Sequence, residues 1–295
     1  MDKAAAAKLK VISSMVIYGT IGVFVRYIPL PSSVTAMMRG LIGAPFLLLV
    51  VLLKRSRLSG RDIKRNLPLL CLSGLMLGVN WILLFESYRY TTVATATLCY
   101  YFAPIFLVAA SPFVFRERMT LRKLLCILAA LAGMVFVSGV AENGIPAPGE
   151  LQGVLLAVGA AALYACIVIA NKKLRGISAY DRTIMQLAIS ALVLLPYNLL
   201  SGGFADLRLT PFICLMLLIV GVVHTGAAYY LYFGSMEDLN SQTLAILSYI
   251  DPVVAVLLSA LVLKEALGAA DILGAVLILG AALVSELPER KRVKK

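Results

Sequence analysis

Charge is scarce in this chain. Asp, Glu, Lys and Arg together make up 14% of its 295 residues, where a water-soluble domain carries about 25%. That is too little polar side chain to cover a globule of this size, so a soluble fold is excluded and the solvent around most of the chain is lipid. Histidine is scarcer still, with His224 standing alone. The five cysteines (Cys71, Cys99, Cys126, Cys166 and Cys214) lie inside apolar runs and form no C-x-x-C pair. A structural metal site is therefore not expected, and packing thiols are. There is no G-x-x-x-x-G-K-[ST] loop, so ATP is not the expected source of energy. No cofactor is implied and no catalytic residue is assigned.

Apolar residues are abundant, at 61%, with a mean hydropathy of +0.94. A helix needs about 20 apolar residues to cross the hydrocarbon core. Cutting the chain at Pro, Gly and charge clusters predicts ten spans, near 10–28, 33–53, 67–88, 92–114, 120–140, 151–171, 181–200, 211–233, 241–263 and 268–286. The first run has no small-residue cleavage site after it and reads as a retained span rather than a signal peptide. With the N-terminus in the cytoplasm, 22 of the 27 Lys and Arg residues fall on cytoplasmic loops and tails. The exceptions are Arg26, Arg39, Arg89, Arg208 and Lys264. Both termini are thus expected in the cytoplasm. The net charge of +12 then reports orientation and not a nucleic-acid partner.

The two halves echo each other. Pro104 precedes Glu117 by the same interval as Pro252 precedes Glu265, and Ser111 and Ser259 stand seven places after each proline. Tyr18 against Tyr164 and Arg39 against Gln186 keep nearly the same offset. The period, close to 148 residues, spans five helices. Because five is odd, the second copy enters the membrane from the opposite side, which predicts an inverted five-plus-five repeat. The division expected is a first repeat over 1–140, an external linker over 141–150, a second repeat over 151–286 and a basic cytoplasmic tail over 287–295.

The block Pro104 to Val137, with Arg116-Glu117-Arg118 between two helices and Gly133 in the second, resembles the EamA-type repeat of the drug/metabolite transporter superfamily. So does Pro252 to Val284, with Lys264-Glu265 and Gly274. The stretch from Asn80 and Trp81 through Glu86, Tyr88, Arg89 and Tyr90 resembles the region of the third and fourth spans in a bacterial subset of that family. Cys126 departs from the pattern, standing where the repeat usually has glycine, and Gly280 comes one place early. The resemblance implies an all-α integral membrane protein of ten helices. It also implies carriage of a small organic molecule across the cytoplasmic membrane, with no enzymatic step.

An ionisable group at membrane depth is a functional candidate by default. Arg39, Glu86, His224 and Asp251 all fall within spans. Asp251 directly precedes Pro252, which removes a backbone donor and frees carbonyls to line a cavity. It is a candidate for a proton, a sodium ion or a cationic substrate group, the alternative being a packing hydrogen bond. His224 sits at a similar depth one span earlier and could relay protons with Asp251. It could equally be satisfied by a neighbouring hydroxyl or carbonyl. Arg39 suits a bidentate clamp on a substrate carboxylate, or snorkelling, or a structural pair with Glu86. Trp81, Tyr100 and Tyr101 lie in a cluster of aromatics. Tyr100 and Tyr101 are too deep for an interfacial belt, and suit an aromatic cage for a cation. Glu117 and Glu265 each precede a helix start and read as dipole partners. Gly74, Gly78, Gly133, Gly159, Gly274 and Gly280 read as helix-packing positions. The partners expected are a small-molecule substrate, the bilayer, and protons or another coupling ion. A channel or structural subunit, and a membrane-embedded lipid-modifying enzyme, are the rival readings.

Overall fold

The computed structural model describes residues 3–54, 58–114, 119–138, 147–205, 207–235, 238–239 and 241–287. Among these residues the chain is helical throughout its regular structure and holds no strand. The chain opens with α1 (Lys3–Arg26), α2 (Ser32–Leu53), α3 (Gly60–Tyr90), α4 (Val93–Tyr100), α5 (Ala103–Val114) and α6 (Leu121–Val137). Then come α7 (Pro148–Lys172), α8 (Ala179–Leu200), α9 (Pro211–Leu218), a π-helix (Ile219–Ala227) and α10 (Ala228–Phe233). Last are α11 (Ser241–Ser248), α12 (Ile250–Leu261) and α13 (Ala269–Glu286).

Among the described residues seven stretches are long and apolar enough to cross a membrane: Lys3–Arg26, Ser32–Leu53, Gly60–Tyr90, Val93–Val114, Pro148–Lys172, Ala179–Leu200 and Pro211–Phe233. The other three expected spans fall on shorter helices, α6 with 17 residues, α11 and α12 with 8 and 12, and α13 with 18. Large apolar side chains such as Leu53, Phe113, Leu200 and Leu261 face outward, as they must on a surface that meets lipid. The protein is a multi-pass membrane protein.

Local chemistry explains where the helices start. Thr92, Ser178 and Thr210 accept from the backbone N–H groups of Thr95, Asp181 and Ile213, capping α4, α8 and α9. Pro148 opens α7, where its missing N–H costs nothing. That start lies inside the stretch 141–150 expected as linker. Glu117, with Arg116 and Arg118, and the basic tail Arg290 to Lys295 lie outside the described residues.

Two apolar segments are broken midway, and by the same cause. Between α4 and α5 the chain turns at Tyr101-Phe102, and between α11 and α12 at Tyr249. Each break begins three residues before a proline, Pro104 or Pro252. A proline lacks the N–H that would bond the carbonyl four residues back, here those of Tyr100 and Ser248.

The packing order is regular. α3 lies on α7, while α1 lies on α10, α11 and α12. α2 lies on α8 and α6 on α13; α3 also touches α8, and α2 also touches the π-helix. The crossing of α6 and α13 brings backbone to backbone: a Cβ at Gly133 would sit 2.8 Å from the Gly274 carbonyl oxygen, and one at Gly274 2.6 Å from that of Gly133. Gly280 does not follow the expectation of close contact, because nothing lies within 4 Å of its Cβ position.

Candidate functional site

The helices enclose a cavity of about 510 Å³, within the range of about 300–1,000 Å³ usual for small-molecule sites. Aromatic side chains dominate its wall. α1 contributes Tyr18, α3 contributes Trp81, Phe85 and Tyr88, and the α4–α5 segment contributes Tyr100 and Tyr101. α7 adds Tyr164, α10 adds Tyr229 and Tyr232, and the α11–α12 break adds Tyr249. Neighbouring rings interlock at 5.6 Å for Tyr18 with Tyr229, 5.7 Å for Tyr100 with Tyr164 and 6.0 Å for Tyr101 with Tyr249. Such edge and tilted contacts are favourable ring geometries, so the wall is an ordered surface.

Two groups of opposite charge face this space. Asp251 lies in the first turn of α12, and its Oδ2 accepts from the Tyr101 hydroxyl at 2.8 Å. The same hydroxyl is 3.2 Å from the Ser248 carbonyl oxygen, the one left without a helical donor by Pro252. Tyr101 thus ties one broken helix to the other at the cavity wall. Among the described residues no cationic side chain lies within ion-pair distance of Asp251.

Arg39, on α2, is 6% exposed. Its Nε donates to Thr225 Oγ1 at 2.8 Å, and its guanidinium carbon lies 4.1 Å from the centre of the Trp81 ring and 5.7 Å from that of Phe85. A desolvated cation over indole gains about 2 kcal/mol, which helps to keep this charge inside the bundle. The structural pair with Glu86 is not formed. Glu86 instead accepts from Ser32 at 2.6 Å and lies 3.5 Å from Arg89, outside the cavity lining. Among the described residues Arg39 has no carboxylate partner.

His224 stands apart from Asp251. It is 1% exposed, does not line the cavity, and its ring nitrogens meet Thr20 Oγ1 at 2.7 Å and the Ile219 carbonyl oxygen at 3.3 Å. Its ring packs edge-on against Phe24 at 4.8 Å. No hydrogen bond joins it to Asp251 among the described residues, so the geometry assigns it a satisfied position between α1 and the π-helix. Glu265 also differs from expectation. It caps not the helix that follows it but the start of α4, accepting from the Val93 N–H at 2.9 Å, and it pairs with Arg26 at 3.2 Å. The start of α13 is held by Asp271, which accepts from the Gly268 N–H at 2.8 Å.

Of the residues singled out from sequence, the structure brings together Arg39, Trp81, Tyr100, Tyr101 and Asp251, and leaves Glu86 and His224 outside. Sequence reasoning missed Thr225, which orients Arg39. The clue available was a His-Thr pair flanked by Gly221 and Gly226 in an otherwise apolar run, where a polar side chain needs a partner.

Comparison with known proteins places the fold and the family. A solved crystal structure of a protein 20% identical in sequence superposes with a TM-score of 0.67, covering 96% of both chains, and shows the same fold. An uncharacterized transporter, YxxF, of Bacillus subtilis (strain 168) is 32% identical over 260 residues, which is 86% of this chain and 81% of that protein. An uncharacterized transporter of Clostridium kluyveri is 24% identical over 77% of this chain and 74% of its own length. The profile of the EamA-like transporter family matches twice, over residues 6–139 and 151–286. The chain belongs to the EamA-like transporter family, within the drug/metabolite transporter superfamily.

Proposed function

We propose that this transporter is a secondary carrier of a small zwitterionic metabolite, an amino acid or a close relative, moved across the cytoplasmic membrane by alternating access. The observation that carries the reading is a buried cation, Arg39, and a partly buried carboxylate, Asp251, facing one aromatic cavity. Among the described residues neither Arg39 nor Asp251 has an ion-pair partner within the protein. A buried charge without a partner is costly. A ligand with a carboxylate and an ammonium group would satisfy both.

Ten spans arranged as an inverted five-plus-five repeat, with both termini in the cytoplasm, complete the proposal. The packing order supports it. Counting the ten segments in chain order, exchange of the two halves turns the contact of the third with the sixth into that of the eighth with the first. It turns the third with the seventh into the eighth with the second, and returns the second with the seventh and the fifth with the tenth to themselves. A side-chain hydrogen bond joins each of the exchanged pairs at corresponding places, with donor and acceptor reversed: Asn80 Nδ2 donates to the Ala160 carbonyl at 2.6 Å, and Ser14 Oγ to the Ala228 carbonyl at 2.8 Å. In such an architecture each half can adopt the other's conformation, which opens the cavity to the opposite side. Asp251 is the candidate for a coupling proton.

Thermal melting of the purified protein against amino acids, amines, carboxylates, nucleosides and sugars tests the cargo. A ligand at 100 times its Kd stabilises by about 2.7 kcal/mol. Amino acids are expected to shift the melt more than their decarboxylated amines or deaminated acids. Stabilisation by sugars or nucleosides alone would overturn the zwitterion. In liposomes, saturable uptake that responds to a pH gradient, with the response lost in Asp251→Asn, is expected of a proton-coupled carrier. Single-channel currents in a planar bilayer would replace the carrier by a channel.

A further inference from the structure

The eighth apolar segment changes its winding in the middle. From Ile219 to Ala227 the helix is π-wound, with α-helix on both sides. A π-turn inserts one residue into the helical repeat and rotates whatever it carries relative to the flanking turns. It persists where that rotation is needed. Here the segment is pressed against α2 on three levels. A Cβ at Gly221 would sit 2.5 Å from Ile42, one at Gly226 2.1 Å from Phe46, and one at Gly43 2.5 Å from Thr225. Such contacts lock the two helices in register at Thr225.

The hydroxyl of Thr225 is fully buried and bonds in two directions. It donates to the Val220 carbonyl five residues back, at 3.0 Å, in π register. With its single proton so placed, its oxygen can only accept from Arg39 Nε, at 2.8 Å. The guanidinium is therefore held at one edge by Thr225 and across its face by Trp81 at 4.1 Å. Those two contacts leave the edge formed by Nη1 and Nη2, and Arg39 lines the cavity. A carboxylate matches that edge with two parallel hydrogen bonds.

We propose that Thr225, set by the π-turn, is the positioning residue that makes Arg39 a bidentate receptor for a planar carboxylate. The proposal rests on the assignment of the cavity as the substrate site. It predicts that specificity for the carboxylate depends on a residue that does not itself touch the substrate.

Trp81 is the chain's one tryptophan and lies under the guanidinium, so its emission reports where Arg39 sits even without a ligand. Thr225→Val keeps the shape of the side chain and removes the acceptor; Thr225→Ser restores it. Thr225→Val is expected to change Trp81 emission as Arg39→Gln does, and Thr225→Ser to return it to the wild-type spectrum. The same emission, titrated with L-phenylalanine and with phenethylamine, its decarboxylated amine, reads the preference for the carboxylate. Thr225→Val is expected to reduce that preference by about 10-fold, the worth of one misaligned charge-assisted hydrogen bond. Affinity for phenethylamine should stay unchanged. An unchanged Trp81 spectrum in Thr225→Val overturns the proposal, as does an equal loss for both probes, which would mean general disturbance of packing. A spectral change on Arg39→Gln with phenylalanine preference intact would instead overturn the substrate reading. The positioning of Arg39 would then be judged on the ligand-free spectra alone.

Discussion

Arg39 and Gln186 stand at matching places in the two halves, 147 residues apart, and the difference between them separates scaffold from chemistry. Both lie about two turns into their helices, α2 and α8, and both are buried, at 6% and 5% exposure. Gln186 is used up internally: its amide nitrogen donates to Ser73 Oγ and to Asn171 Oδ1, each at 2.7 Å. Arg39 gives one hydrogen bond, to Thr225, and lines the cavity. Asp251 shows the same break in symmetry. Its counterpart 148 residues earlier is Ala103, although the prolines that follow, Pro252 and Pro104, correspond. What the halves share, the two broken helices, Tyr101 and Tyr249, Ser111 and Ser259, makes the shape. The two charges occur where they part. A fold that exchanges conformations between its halves needs alike frameworks, whereas a zwitterion needs unlike ends.

Making the halves alike at this place should therefore cost the most. Arg39→Gln is expected to weaken binding of an amino acid about 100-fold, two charge-assisted hydrogen bonds at about 1.5 kcal/mol each. Binding of the matching amine should change little. Equal losses for both ligands, in a titration of Trp81 emission or a thermal shift, would show that Arg39 serves packing instead. Asp251→Asn probes the other end. It keeps an acceptor for Tyr101 and removes the charge, so a ligand ammonium should lose about 10-fold in affinity. The deaminated acid should be indifferent, and a response to both would move the ammonium subsite elsewhere.

Much of this was legible in the sequence because it rests on periodic apolar runs and on proline. The segments follow from charge-free stretches, and the disturbance at Tyr249 from Pro252 three residues on; the matching break at Tyr101, before Pro104, was not read, and 92–114 was expected as one span. Arg39, Trp81, Tyr100, Tyr101 and Asp251 were visible because polar or bulky groups at membrane depth are rare. What could not be read were facts of winding and of long-range pairing. The π-turn at 219–227 leaves no mark in composition, since glycines serve straight helices equally well. The partner of Glu265 is the start of α4, 172 residues away in sequence, and a local rule about helix dipoles points to its nearest neighbour instead. His224 and Asp251 share an apparent depth but not a direction, and depth alone suggested a relay that no described hydrogen bond forms.

The scaffold side of the comparison can be tested where no charge is involved. At the crossing of α6 and α13 a methyl group at Gly274 would meet the Gly133 carbonyl oxygen at 2.6 Å and Val137 Cγ2 at 2.5 Å. The two helices must separate to accept it. Gly274→Ala is expected to lower stability by about 1–3 kcal/mol, as overpacking does, and to reduce the melting temperature in detergent. Gly280, with open space around it, should accept alanine without loss. Equal effects at the two positions would mean that α6 and α13 do not cross at Gly274.

The smallest effect belongs to Gln186, and it sharpens the contrast most directly. Gln186→Leu removes two donated hydrogen bonds and leaves Asn171 Oδ1 without that donor, while Ser73 keeps its own bond to the Leu69 carbonyl at 2.7 Å. Hydrogen bonds between helices in a bilayer average about 0.6 kcal/mol, because the unfolded state in lipid also finds partners. A loss of about 1 kcal/mol in stability is thus expected, with the preference for carboxylate over amine unchanged. The same place in the other half would then carry structure alone. If Gln186→Leu instead altered ligand preference while the melt stayed constant, both members of the pair would face substrate at some point in the cycle. The asymmetry seen between them would then describe one conformation, with the roles of α2 and α8 exchanging as the cavity opens to the other side.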